Sequence, residues 1–247
     1  MLRKISCMVL PFLLAGCQPL VEEESHVHHN SLNEAAMMYG AQSGLAWKAK
    51  RINRILQRNS AKLDLVYDFN ALLMKDNLVP PVVEIAHDTV NAPDYESIRS
   101  SESEIRIVKP ASLVTAAPNW RNYLIMSYKM PAKINPSLYP TTMQDKEMWE
   151  NGVAKGWRSG VEQAQEMFEQ SLSVLNRDFK GMVLYHTLLL QNMITSPYAS
   201  TASLGVTGDQ AIMRVNDKVT RITAQAELNT AGVSDWDPVI EINEVVQ

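Results

Sequence analysis

The sequence predicts an α+β fold, with helices in the first two thirds of the chain and an antiparallel sheet or hairpin at its end. Apolar residues recur at steps of three and four over residues 32–75 and again over residues 141–179, which is the period of an amphipathic helix. After Ser196-Pro197, several short segments of strand composition follow one another. Helices gathered early and strands gathered late favour an α+β architecture.

Residues 1–16 are predicted to be a signal peptide. Arg3 and Lys4 form a positive segment, Ile5–Leu14 is apolar, and two small residues then precede Cys17. The apolar segment is too short to cross a bilayer, which takes roughly 20 residues.

Leu14-Ala15-Gly16-Cys17 resembles the lipobox of bacterial lipoproteins. The resemblance implies cleavage between Gly16 and Cys17, with a diacylglyceryl group on the thiol of Cys17. Each buried CH₂ contributes about 0.8 kcal/mol, so two or three acyl chains hold a protein firmly at a membrane. Gln18 follows, where an inner-membrane retention signal would have Asp, and this indicates the outer membrane. An ordinary signal peptide cut elsewhere is the alternative.

The composition excludes several classes of partner and cofactor. Loss of Arg3 and Lys4 leaves 21 of the 23 basic side chains against 27 acidic ones, so no direct nucleic-acid binding is expected. Cys7 and Cys17 are the only cysteines of the chain. The first leaves with the signal peptide and the second carries lipid, so no thiol remains for a disulfide or a metal, and no cofactor is predicted.

Residues 17–31 are interpreted as a flexible tether, since they contain few apolar side chains to bury. His26, His28 and His29 lie within this segment. Imidazole is a common metal ligand, but the cluster lacks the spacing of a closed site, so we predict no metal. Residues 32–247 are predicted to form a single domain.

A basic stripe accompanies the first predicted helix, over residues 32–75. It is either a solvated helix surface or a docking surface for an acidic partner or lipid headgroups. Further along, Asp64 and Asp68 are four residues apart and would share a helix face. We expect both carboxylates to lie at the protein surface. The basic stripe consists of Lys48, Lys50, Arg51, Arg54 and Arg58.

The middle of the chain is rich in proline and aromatic residues. Pro80-Pro81 ends the helical region, and residues 104–109 alternate as a half-buried strand does. Trp120, Arg121 and Tyr123 are candidate interface residues if they are exposed, because Trp, Tyr and Arg dominate binding hot spots. Alternatively, these rings close the core.

Three glycines lie beside the apolar stripe of the helix at 141–179. Gly152, Gly156 and Gly160 recur at spacing four and predict a groove in which another backbone can approach. The partner is either a helix of the same domain or a neighbouring subunit. Gly181 is expected to end or kink this helix before a second one, residues 182–193.

The C-terminal strands are predicted at residues 204–206, 211–215, 219–224 and 239–246. Asn216-Asp217 is interpreted as a tight hairpin turn between two of them. No metalloprotease, serine hydrolase, Walker or Rossmann motif is present. We therefore predict that the protein is not an enzyme.

Several segments together resemble the DotC-type lipoproteins of type IVB secretion systems and their counterpart in the conjugation machinery of IncI-type plasmids. The similarity covers roughly residues 45–225 in the same order. It is carried by residues 45–53, 67–70, 120–124, 156–157, 181–185, 191–193, 204–209, 213–217 and 221–223.

The resemblance implies a structural subunit of an outer-membrane core complex. It implies as partners a small DotD-type lipoprotein and a large DotH-type subunit, in a multi-copy ring on the periplasmic face of the outer membrane. It transfers no catalytic residue, and only Cys17 is carried over as a modified position. Two alternatives remain at this point: a lipoprotein that acts on peptidoglycan with Asp64 and Asp68, and a periplasmic solute-binding lipoprotein with a deep pocket.

Overall fold

The predicted α+β class is confirmed by a computed structural model, which describes residues 21–92, 94–136, 139–231 and 236, with side chains from residue 29 onward. Its helices are α1 (Val21–Arg58), α2 (Ser60–Val66), α3 (Trp120–Leu124) and α4 (Met143–Leu190), with 3₁₀ turns at Phe69–Leu72 and Lys75–Asn77. Its strands are β1 (Leu78–Val79), β2 (Val82–Asn91), β3 (Arg99–Lys109), β4 (Ser112–Leu113), β5 (Tyr198–Gly208) and β6 (Met213–Ala224).

The strands form three two-stranded antiparallel sheets, β1–β4, β2–β3 and β5–β6. The chain divides into two compact units. One boundary between them lies inside α1 and another lies inside α4. The first unit comprises Met1–Ala46 and Lys129–Glu162, and the second comprises Trp47–Tyr128 and Gln163–Gln247. Within the described part of the chain, no helix is both long and apolar enough to cross a membrane.

The first helix begins at Val21, inside the segment 17–31 for which the sequence predicts a flexible tether. Leu32 is fully buried, and His29 lies 3.5 Å from the carboxylate of Asp145. These contacts give the helix packing partners from about residue 29 onward. The bounds of the tether stay a prediction.

The helix predicted over residues 32–75 is interrupted in the structure. The side-chain amide of Asn59 donates to the carbonyl of Ile55 at 2.9 Å, and α1 ends at Arg58. Asparagine competes in this way with the backbone hydrogen bonds of a helix. A second, short helix follows and ends at Val66, and the first 3₁₀ turn begins at Phe69.

The glycines at spacing four pack against another helix of the same unit. A Cβ at Gly152 would lie 2.8 Å from the Cβ of Ala36, and one at Gly156 or Gly160 would lie less than 3.0 Å from α1 backbone atoms. Gly40 and Gly44 of α1 approach the α4 backbone equally closely. The contacts ascend together along both helices, so α1 and α4 run parallel here, backbone against backbone.

In the second unit, an aromatic cluster joins the 3₁₀ turn, α3 and α4. The buried ring of Phe69 stacks on Tyr123 with centroids 6.0 Å apart and meets Phe179 edge-on at 5.2 Å. Trp120 and Leu175 are fully buried. The rings of the proline-rich middle segment therefore help to close this core.

Gly181 neither ends nor kinks the long helix, contrary to the sequence-based expectation. Helix α4 continues to Leu190. A Cβ at Gly181 would lie 2.5 Å from Cγ1 of Val82 and 2.8 Å from the carbonyl of Val83. The glycine is needed because β2 packs directly onto the helix backbone.

The C-terminal hairpin turns earlier than predicted. Its turn spans Asp209–Ile212, where the carboxylate of Asp209 accepts from the backbone N–H groups of Ala211 and Ile212 at 2.8 and 2.9 Å. Asn216 lies inside β6 with φ 58°, near a register shift at Gly205, whose φ is 74°. Gly205 pairs with Asp217 and Val206 with Val215, so Asn216 has no partner in the register, which is the pattern of a β-bulge. The strand predicted at 239–246 lies outside the described residues.

The glycine contact predicts that Gly156→Ala destabilises the first unit. Alanine normally adds about 1 kcal/mol to helix stability relative to glycine, but here its Cβ would collide with the backbone of Met37. We expect a net loss of about 1–3 kcal/mol, as for other overpacked sites, measured by urea unfolding. Ser159→Ala, at an exposed position of the same helix, is the control. A Gly156→Ala variant as stable as the parent would contradict the close approach.

Candidate functional site

Asp178 is a buried carboxylate at the centre of a polar cluster in the second unit. It lies on α4, and its side chain is 1% exposed. Its Oδ2 accepts from Nζ of Lys109 at 2.5 Å and from the hydroxyl of Tyr123 at 3.1 Å, while Oδ1 accepts from the guanidinium of Arg177 at 2.9 and 3.1 Å. A buried charge requires such partners. The cluster joins the end of β3, helix α3 and α4.

The hydroxyl of Tyr123 is held in its protonated form by this environment. Burial is the largest cause that raises the pKa of Tyr123 to about 12, followed by the negative charge of Asp178 and the hydrogen bond to it. The nearby Arg177 lowers this pKa. At neutral pH Tyr123 therefore acts only as a hydrogen-bond donor to Asp178, which is a structural role.

An open groove of about 640 Å³ runs beside the cluster, along β2, β3 and α4. Its lining is rich in charged side chains of both signs, and two of them, Arg177 and Glu84, lie 3.8 Å apart. Sites for small solutes are usually deep and mostly apolar, with a few polar groups. This groove is open to solvent instead, and five of its eleven lining residues are charged. The charged lining residues are Glu84, Glu104, Arg106, Arg177 and Lys180.

A second polar cluster fixes α3 against α2. The indole Nε1 of Trp120 donates to Oδ1 of Asp64 at 2.7 Å, and the guanidinium of Arg121 donates to both carboxylate oxygens at 2.5 and 3.0 Å. These bonds, from Arg121 first and Trp120 second, lower the pKa of Asp64. Asn119 and Asn122 complete a capping box at the start of α3.

The candidate interface residues therefore occupy different environments. Trp120 is fully buried, and Tyr123 is half-buried against Asp178. Only Arg121 has an exposed side chain, at 44%. The rings of Trp120 and Tyr123 therefore close the core, which was the alternative to an exposed interface.

Asp64 and Asp68 do not share a helix face, contrary to the sequence-based expectation. Helix α2 ends at Val66, so Asp68 lies beyond it and accepts from the backbone N–H of Asn70 at the start of the 3₁₀ turn. Both carboxylates are exposed, and Asp64 is engaged by Trp120 and Arg121. The pair proposed for acid–base catalysis is not formed.

The basic stripe lies on one face of the part of α1 that belongs to the second unit, and its residues are exposed except for the half-buried Lys48. None of its five cations forms an ion pair with a described residue. Arg51 lies over the ring of Trp47, 5.4 Å from its centroid, and Ala49, Ile52 and Leu56 form the buried side of the helix. The stripe remains open to either interpretation.

Two predicted sites fall outside the described residues. Gly16 and Cys17 lie there, and so do the side chains of His26 and His28. Among the side chains that are described, no group of three His, Cys, Asp or Glu residues could hold a metal ion.

Sequence reasoning missed the Asp178 cluster. Its members, Lys109, Tyr123, Arg177 and Asp178, are far apart along the chain except for the last two. The one available signal was Arg177-Asp178 between Leu175 and Phe179 of the apolar stripe of the long helix, and that pair alone does not indicate a buried site.

A protein-family model matches most of the chain. The model of the T4SS_TraI family, described as type IV secretory system, conjugal DNA-protein transfer, matches residues 26–238. No curated protein matches the sequence.

The buried carboxylate predicts that Asp178→Asn destabilises the second unit. The substitution removes the negative charge that Lys109 and Arg177 face, and hydrogen bonds to charged groups contribute about 1.5–3 kcal/mol. We expect a loss of about 2 kcal/mol in urea unfolding. Glu166→Gln, which removes an exposed carboxylate from the same helix, should leave stability unchanged. Equal stability of both variants would show that the cluster is dispensable.

The second cluster predicts a shift in the titration of Asp64. Arg121→Gln should raise its pKa towards the ordinary value of 3.8, because the largest cause of the lowering is removed. Since the folded pKa is depressed, the stability contribution of Asp64 is present above the unfolded pKa and is lost as pH falls through the folded one. The indole N–H resonance of Trp120, followed by NMR against pH, reports this titration. The pKa of Asp94, lowered by hydrogen bonds from Ser97 and Glu96, should not move.

Proposed function

The chain belongs to the T4SS_TraI family of the type IV secretory system, conjugal DNA-protein transfer, and from this premise we propose a finer role. It is a component of a type IV secretion or conjugal transfer apparatus. We propose that it acts there as a structural outer-membrane lipoprotein of the core complex, and that it supports the assembly and outer-membrane placement of partner subunits.

The single observation that carries the finer role is the sequence Leu14-Ala15-Gly16-Cys17 behind a positive and an apolar segment. A diacylglyceryl thioether at Cys17 would tether the protein to the periplasmic face of the outer membrane. Anchoring raises the effective concentration of a subunit at the membrane, so modest contacts with partners add up in a ring.

The proposed partners follow from the DotC-type resemblance: a small DotD-type lipoprotein and a large DotH-type subunit. The exposed basic stripe of α1 supports a docking role, because its five cations have no counterion among the described residues. The proposal involves no direct contact with nucleic acid, since acidic side chains outnumber basic ones.

We also propose that the protein is not an enzyme. The polar groups that are gathered in the described part of the chain make structural bonds: Asp178 joins three elements, and Asp64 holds α3. A function in assembly uses such groups to keep surfaces in place and needs no reactive side chain.

The lipid anchor predicts that Cys17→Ser abolishes outer-membrane attachment. The variant should lack acyl mass at its mature terminus by mass spectrometry, should leave the outer-membrane fraction, and should lower transfer by the apparatus. Cys7→Ser is the matched control, because it removes the other thiol of the chain from within the signal peptide and should keep the lipid. Normal outer-membrane fractionation of Cys17→Ser would refute the anchor.

A further inference from the structure

The β5–β6 hairpin is longer than its packing within one chain explains. Its strands have 11 and 12 residues, and among the strands that the structure describes they pair only with each other. At its base, the amide of Gln225 exchanges hydrogen bonds with the backbone of Ala111 at 3.1 and 3.2 Å. Nearly all side chains beyond this base are exposed. A two-stranded hairpin by itself is marginally stable in water, and further strands or a helix are needed to support it.

The outer edge of β5 is distorted by register shifts around Gly205, but it lacks the charges and prolines that also protect sheet edges. No charged residue and no proline occurs from Tyr198 to Gly208, although charges and prolines normally block pairing with another chain. Apolar side chains are also exposed near the tip: Val206 and Val215, which face each other across the strands, are 65% and 62% exposed, and Met213 is 73% exposed. The β5–β6 hairpin, called the arm below, therefore has the properties of a surface that pairs with a strand of another chain.

The arm also carries free positive charge. Arg214, Lys218 and Arg221 of β6 are exposed, and none of them forms an ion pair with a described residue. Its acidic residues are engaged locally, because Asp217 accepts from the hydroxyl of Thr207 and Asp209 accepts from the backbone of the turn. A partner for this arm should therefore be acidic.

The same chain contains an acidic hairpin with an available edge. Residues 86–104 of β2–β3 contain five acidic side chains and one basic one, and all of these are exposed. Exposed apolar groups, Val90 at 71% and Ile98 at 76%, accompany them. Strand β2 is distorted at Asp88, where φ is 50°, whereas β3 has no residue with positive φ. The edge of β3 is therefore the regular one.

We propose that β5 of one copy pairs edge to edge with β3 of a second copy. Backbone hydrogen bonds would join the two hairpins into one four-stranded sheet, and the basic arm would face the acidic one. Because the two surfaces differ, the contact is head-to-tail, and such contacts repeat into rings or open chains. This contact would join neighbouring copies in the proposed ring assembly. The closed ring rests on the proposed function, whereas the contact itself rests on the two hairpins.

The test uses charge reversal in the full chain, with Cys17→Ser in all samples so that acyl groups cannot cause association. The first variant carries Arg214→Glu, Lys218→Glu and Arg221→Glu, which makes both hairpins acidic. The second variant carries Glu96→Lys, Glu102→Lys and Glu104→Lys, which makes both basic. Mass is measured by sedimentation velocity over a concentration series.

The parent chain should associate as concentration rises, whereas each variant alone should remain a monomer. A one-to-one mixture of the two variants should associate again, because each acidic arm then meets a basic one. A matched control, with Lys146→Glu, Lys155→Glu and Arg158→Glu, makes the same charge change at exposed positions of α4 and should associate like the parent.

A monomeric parent at every concentration, unchanged association of either variant, or a mixture that stays monomeric would overturn the proposal. If circular dichroism shows that a variant is unfolded, the salt dependence of the parent's association tests the proposal by itself. This association should weaken between about 0.1 M and 1 M salt, where the screening length falls from about 10 Å to 3 Å, and association that ignores salt would refute the charge pairing. Because the anchor is removed throughout, failure here is separate from failure of the lipoprotein proposal.

Discussion

The missing Cβ atoms of five glycines set the distance between α1 and α4 in the first unit. Those at positions 40, 44, 156 and 160 place helix backbone against helix backbone, and Gly152 makes room for the side chain of Ala36. The spacing of four residues keeps them on one side of each helix. Larger side chains, such as those of Tyr39 and Trp149 with ring centroids 6.2 Å apart, pack beside the contact. Burial of Leu32 and Ala36 depends on the same close approach.

The second unit uses a different device, in which buried charge and aromatic packing join elements that are far apart in sequence. Asp178 receives hydrogen bonds from β3, α3 and its own helix. The neighbouring rings of Phe69, Tyr123 and Phe179 provide the apolar contact that keeps water away. Buried ionic groups contribute little net stability but are costly to leave unpaired. Their effect is to specify one arrangement of the elements.

The second unit exposes surface that the described part of the single chain does not cover. The basic stripe of α1 has no counterion among the described residues, and the two long hairpins expose edges and apolar side chains. Strand edges are normally blunted in proteins that act alone. These features suit a subunit of a larger apparatus, and they agree with membership of a conjugal transfer family.

The sequence by itself determined the class of the fold and the helical character of its longest elements. Periodicity identified α4, and glycines at spacing four identified a close backbone contact, because both are local patterns that any packing partner must respect. The lipoprotein signal and the DotC-type resemblance stay predictions that rest on the order of residues alone. The interruption at Asn59 was missed because its side chain competes locally with helix hydrogen bonds.

Tertiary structure alone decided the rest. Gly181 was expected to break the helix, yet α4 continues through it because β2 needs the space of a missing side chain. Asn216 was expected to form the hairpin turn, yet it lies in a bulge opposite Gly205. Asp178 and Lys109 meet across 69 residues. Composition and local spacing do not specify which distant segments come into contact, because those contacts depend on the packing of the whole chain.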